Sequence, residues 1–248
     1  MTEAGIVGFM LVFCRVGGVM FLLPGFGEQS IPMRVRLAVT FAFALVIWPM
    51  LVGGLADPQF DNPLYLMIAT EAIIGLMLGI SIRFMVWALQ YAGSVAGQAT
   101  SLAQIFGSNN MDPMPVIGNI LMLGGITLAV VGGLHVKAAM AMAQSYEILP
   151  IGQGLPAEDV VTWGTAKFAD AFALGFSLAA PFVLAAFAYN ISLGAISRAM
   201  PQLMVALIGA PAIIGATILI FFLSAPVILT YWNGKMDLVL SEPLATPR

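Results

Sequence analysis

Seven ionisable side chains stand inside otherwise apolar stretches of this sequence: Arg15, Glu71, Arg83, His135, Lys137, Asp170 and Arg198. A charge among apolar residues must pair, reach water or serve a function, because its desolvation is costly. Three chemistries follow from these residue types. Glu71 or Asp170 could carry protons for a transporter. His135, with Lys137 two residues on, could act as a general base towards Ser94 or Ser177. Alternatively, the charges pair across helices, at contacts within the chain or with other subunits. The second option is weak. Gly93-Ser94-Val95-Ala96 and Gly175-Phe176-Ser177-Leu178-Ala179 both lack the pattern of a nucleophile elbow, and nothing supplies an orienting carboxylate. One histidine without a cysteine or carboxylate cluster makes no metal site, so neither catalysis nor a cofactor is expected. His135 is expected instead to hydrogen-bond across helices. Glu71 and Arg83 are twelve residues apart, about 120° around a helix, so they cannot pair with each other. Each needs a partner from elsewhere.

The elements that must position these groups are set by composition. Of the 248 residues, 60% are hydrophobic and 8% charged, and the mean hydropathy is +1.00. Soluble domains carry about 25% charged residues, so this is a chain for the membrane. A net charge of −3 with nine dispersed Lys and Arg leaves no nucleic-acid footprint. Cys14, the single cysteine, forms no intrachain disulfide and reads as a packed thiol. Met1-Thr2-Glu3 lacks a basic leader, so the first apolar run reads as a retained helix.

Six apolar segments approach or exceed the ~20 residues that cross a bilayer: roughly Gly5–Leu23, Arg36–Ala56, Leu64–Tyr91, Val116–Tyr146, Phe168–Ala199 and Gln202–Trp232. None alternates like a strand, and a span must close its own hydrogen bonds, so the expected class is an all-α membrane protein of about six long helices. Helices of about thirty residues reach about 45 Å, against a ~30 Å hydrocarbon core. Such helices tilt, kink or project, with Pro181, Pro211 and Pro226 as the kink points. Glu147–Lys167, with its acidic pair Glu158-Asp159, reads as a water-facing connection. Arg198-Ala-Met-Pro201 turns one long helix straight into the next, a C-terminal helical hairpin, and Asn233–Arg248 reads as a loose polar tail. Charge does not orient the chain: Arg34, Arg36 and Arg198 on one side balance Lys167, Lys235 and Arg248 on the other.

The longest interruption in the first half is Gln98–Pro115. Ile105, Phe106, Met111 and Met114 are too apolar for a hydrated linker, whereas Gly107-Ser108-Asn109-Asn110 and two prolines forbid a continuous helix. Irregular backbone at membrane depth must be buried or line a cavity. The stretch is therefore a re-entrant, pore-lining segment or a partly buried interhelical connection.

In order along the chain, several short patterns resemble those of the FliR family of flagellar export-gate proteins, which has counterparts in virulence-type injectisomes. They are Arg15 with Phe21-Leu-Leu-Pro-Gly-Phe-Gly27, Ile31-Pro-Met-Arg-Val-Arg36, Glu71-Ala-Ile-Ile-Gly75-Leu-Met-Leu-Gly79, Ala92-Gly93, Gly97-Gln98 and Met111-Asp112-Pro113. Further on come Gly133-Leu-His135, Ser145-Tyr-Glu-Ile-Leu-Pro150-Ile-Gly152, Ala180-Pro181 and Gly194-Ala-Ile-Ser-Arg198-Ala-Met-Pro201-Gln202.

The resemblance implies a single export-gate membrane domain built like a fusion. Residues 1–167 would be FliP-like and contain the plug loop 98–115, residues 168–232 would be a FliQ-like hairpin, and 233–248 the tail. It implies assembly with FliP-like and FliQ-like subunits and an FlhB-like export protein, in the bacterial inner membrane at the flagellar basal body. Unfolded flagellar export substrates and rod-base proteins would be the other partners. The family's assembly is partly raised out of the bilayer plane, which would account for overlong helices. Its irregular loop closes the pore, which would make Ile105, Phe106, Gly107, Ser108, Asn109, Asn110, Met111 and Met114 the plug. Arg198 at the hairpin turn would meet a neighbouring subunit. An equivalent injectisome subunit and an autonomous proton-coupled small-solute transporter are the other readings that the sequence leaves open.

Overall fold

A computed structural model describes residues 3–28, 31–52, 63–101, 116–199 and 205–245. These residues form seven helices: α1 (Glu3–Leu22), α2 (Met33–Val52), α3 (Leu64–Ser101), α4 (Val116–Val131), α5 (Leu134–Ile148), α6 (Ala157–Ala199) and α7 (Val205–Ser241). No strand occurs among the described residues. The all-α membrane class is as expected: α1, α2, α3, α6 and α7 are each long and apolar enough to span.

The fourth apolar segment is not one straight span. It breaks into α4 and α5, bent by 72°, and supplies a sixth crossing only if the pair counts as one. The cause lies at Gly132-Gly133. Gly133 has φ 82° and its N–H donates to Val130 O at 3.1 Å, ending α4. Its own carbonyl accepts from the N–H groups of Val136 and Lys137, restarting the helix in a new direction. An L side chain is strained at that φ, and glycine is not.

The hairpin and the tail also need correction. α6 starts at Ala157, within the connection expected to be irregular, with Glu158 and Asp159 in its first turn. Carboxylates there are favoured by the partial positive charge of the helix N-terminus, so the acidic pair marks a helix start rather than a loop. α7 continues to Ser241 and takes in most of the expected tail. Trp232, Met236 and Leu240 recur every four residues and are 0, 1 and 4% exposed, so one face keeps packing after the apolar run ends. At 43 and 37 residues, α6 and α7 reach about 65 and 55 Å, well beyond the ~30 Å apolar slab. Both run as unbroken helices through Pro181, Pro211 and Pro226, as α2 does through Pro49.

Two compact units divide the chain. The first holds Met1–Met85, Ala129–Asp170 and Gly234–Arg248. Within it Phe9 of α1 meets Phe41 and Trp48 of α2 edge-on, with ring centroids 5.6 and 6.3 Å apart. The second holds Val86–Leu128 and Ala171–Asn233. Here α3 and α4 touch backbone to backbone at Gly93 and Gly118, where any Cβ on Gly93 would fall on the Gly118 Cα. Glycine at such a crossing lets helices approach closely where no hydrophobic effect drives them together. Tyr91 of α3 packs on Phe172 of α6 with ring centroids 5.0 Å apart.

α3 carries helix through Gln98 to Ser101, so the irregular stretch begins later than expected. The proposed plug residues Ile105, Phe106, Gly107, Ser108, Asn109, Asn110, Met111 and Met114 lie outside the described residues, as does the turn at 200–204.

Candidate functional site: a buried arginine–glutamate cluster

Arg15 sits near the middle of α1 and is 0% exposed, as is Glu71 of α3. Their pairing is bidentate: Arg15 Nε donates to Glu71 Oε2 at 2.6 Å and Nη2 to Oε1 at 3.1 Å. The remaining donors are also used. Nη1 reaches Ser145 Oγ of α5 at 3.1 Å, and Nη2 also reaches Leu149 O at 2.9 Å. Ser145 gives its own proton to Met142 O, at 2.7 Å, which leaves its lone pairs for the arginine. The Gly152 N–H donates to Glu71 Oε1 at 3.3 Å, and the Tyr146 ring lies 3.8 Å beneath the guanidinium. α1, α3, α5 and the turn after α5 are thus tied at one point.

Close helix approach makes this possible. A Cβ on Gly18 would sit 2.8 Å from the Gly75 carbonyl carbon, one on Gly79 2.9 Å from Leu22 Cβ, and one on Gly75 would strike the Arg15 carbonyl. The glycine spacing on α3 brings α1 near enough for Arg15 to reach Glu71 with both nitrogens. Bidentate, charge-assisted bonds of this kind are the strong ones. Both carboxylate oxygens are occupied and Glu71 is fully buried, so the pair ties α1 to α3 and to the turn after α5.

The other intramembrane charges are more peripheral. Arg83 pairs with Glu28 at 2.7 Å, linking α3 to the turn after α1. That turn is shaped by Gly25 at φ 83° and by a bond from the Gly27 N–H to Leu23 O at 2.7 Å. Lys137 of α5 pairs with Asp237 of α7 at 2.6 Å. Glu71 and Arg83 therefore do take partners from elsewhere, as their angular separation requires. His135 does not behave as expected: it is exposed on the first turn of α5 and bonds no other helix among the described residues. Asp170 and Arg198 are likewise exposed on α6.

The seven candidates do not form one constellation. Arg15 and Glu71 come together, and the others stand apart. Reasoning from sequence missed Glu28, Ser145, Tyr146 and Asp237 as partners. For Ser145 and Tyr146 a signal was available: both stand in the Ser145–Gly152 pattern that the resemblance singled out.

Comparison with known proteins places this arrangement in context. Residues 6–239 match the family model described as bacterial export proteins, family 1. The flagellar biosynthetic protein FliR of Caulobacter vibrioides is 30% identical over 230 residues, covering 91% of each chain. FliR of Bacillus subtilis is 25% identical, covering 94% of this chain and 91% of its own. The Yop proteins translocation protein T of Yersinia pestis is 24% identical, with 85% and 83% covered.

Proposed function

This chain belongs to family 1 of the bacterial export proteins, as a FliR-type subunit of a type III export apparatus, and from that premise we propose a finer reading. The protein forms, with FliP-like and FliQ-like membrane subunits, the flagellar export gate through which unfolded flagellar proteins leave the cell during assembly. It resides in the inner membrane at the basal body, contacts an FlhB-like export protein and the rod base, and catalyses no reaction. The observation that carries this reading is the match over residues 6–239, with a flagellar relative covering 91% of both chains.

Within that gate, the stretch that follows α3, residues 102–115, is the plug. Unfolded chains of any sequence must pass, so a seal should be deformable and chemically unselective. Phe106, Met111 and Met114 can close by dispersion contact and slide aside, while Gly107 supplies hinge freedom. The FliP-like part covers 1–167 and the FliQ-like hairpin 168–232, with α6 and α7 continuous across those limits. Arg198, exposed near the end of α6, is available to a neighbouring subunit.

A strain lacking its own copy tests this. The intact chain should restore swimming, and replacing 106–111 with a Gly-Ser linker should keep export while raising ion leakage several-fold. Unchanged leakage would exclude the plug role, and normal swimming with Arg198→Ala would exclude that contact. The Yersinia relative supports a second reading, an equivalent injectisome subunit. Failure to restore swimming alongside rescue of an injectisome mutant would favour it.

A further inference from the structure

The turn joining α1 to α2 contains a cavity of about 160 Å³ that the gate function leaves unused, lined by Met20, Phe26, Ile31, Val35, Val39 and Arg36. Its wall is apolar but for the arginine. Apolar cavities of ~150 Å³ stay dry and take a benzene-sized hydrocarbon, so this one fits a short stretch of an alkyl chain. Arg36 supplies the other half of the chemistry. Its Nη2 donates to Glu28 O at 2.9 Å and its guanidinium lies 5.5 Å over the Phe21 ring. Its Nε, however, is shielded from solvent and has no acceptor among the described residues. A buried donor left unpaired costs free energy that an incoming oxygen would recover.

Nearby charge favours an anion. The Glu28 carboxylate is already held by Arg83 at 2.7 Å, and Arg34, exposed two residues before Arg36, adds positive field. The cavity also lies where two spans end: the first closes at Leu22 and the second opens at Met33. In a bilayer, helices of span length end near the lipid phosphates, and arginines at such ends reach for them. We propose that this cavity is a binding site for an anionic phospholipid, which lays part of one acyl chain against Met20, Phe26 and Val39 and brings its phosphate to Arg36. The shared chemistry is a phosphate oxygen on Arg36, and the alkyl cavity separates a lipid from free phosphate.

The test uses the full-length chain, co-expressed with the neighbouring membrane genes of its operon, extracted in mild detergent and measured by native mass spectrometry. Phosphatidylglycerol should be retained about tenfold better than phosphatidylcholine, and millimolar inorganic phosphate should not displace it. Arg36→Gln should abolish the preference between the two lipids. Val39→Phe, which fills the cavity while keeping the arginine, should lower retention of both. Equal retention of the two lipids by the unaltered protein would overturn the site, and that arm depends on no variant folding. Displacement by inorganic phosphate would overturn the lipid assignment in favour of a bare anion site. Retention by both variants at the unaltered level would equally overturn it.

Discussion

At the scale of single residues, the pairing of Arg15 with Glu71 is fully buried on both sides. Breaking a buried pair by removing one partner leaves an uncompensated charge and costs about 3–5 kcal/mol, whereas replacing both with apolar residues is often near neutral. Glu71→Ala should therefore destabilise the extracted protein by about that amount in denaturant unfolding. Arg15→Met combined with Glu71→Leu should cost far less than the sum of the two single changes, with a coupling above the ~0.5–3 kcal/mol usual for residues in contact. Strict additivity would mean that the two side chains do not depend on each other. Neither partner could be assigned from sequence. They stand 56 positions apart, and angular reasoning on α3 could only exclude Arg83 as the partner of Glu71. What remained hidden was the close crossing of α1 and α3, fixed by where Gly18, Gly75 and Gly79 meet in space.

At the scale of elements, glycines and helix ends decide where the apolar runs stop. Apolar length alone made the long apolar helices legible, five of them long enough to span. It could not reveal the bend at Gly132-Gly133, since a glycine pair inside an apolar run reads equally well as a packing surface. It also placed the start of α6 too late and the end of α7 too early, because the polar residues around Glu158 and after Asn233 lower hydropathy while backbone bonding continues. Gly133 offers a clean test of the bend. A Cβ there meets nothing within 4 Å, so its cost is the left-handed backbone alone, about 1–2 kcal/mol. Gly164→Ala on α6 also meets nothing and should be neutral or stabilising by about 0.5–1 kcal/mol. Equal effects of Gly133→Ala and Gly164→Ala on unfolding would show that Gly133 is not the strained point of the bend.

At the scale of the whole molecule, burial is uneven. The apolar span of α3 is 67% buried within the chain, while those of α2 and of α7 are each 17% buried. Phe176 and Phe187 of α6 and Phe222 and Leu223 of α7 are exposed, each above half of its full surface. Lipid can cover such faces. A helix of about 55 Å also projects beyond an apolar slab of ~30 Å. This is the physical form of the proposal that the chain works only among other subunits; the exposed faces do not name those subunits, which come from the family resemblance.

Native mass of the detergent-extracted protein, expressed with and without the neighbouring membrane genes of its operon, tests that proposal most directly. A discrete hetero-oligomer containing one copy of this chain, with an unstable or aggregating species when it is expressed alone, is the expected result. A stable monomer or homodimer that recruits none of its neighbours would contradict the export-gate account and return attention to autonomous transport.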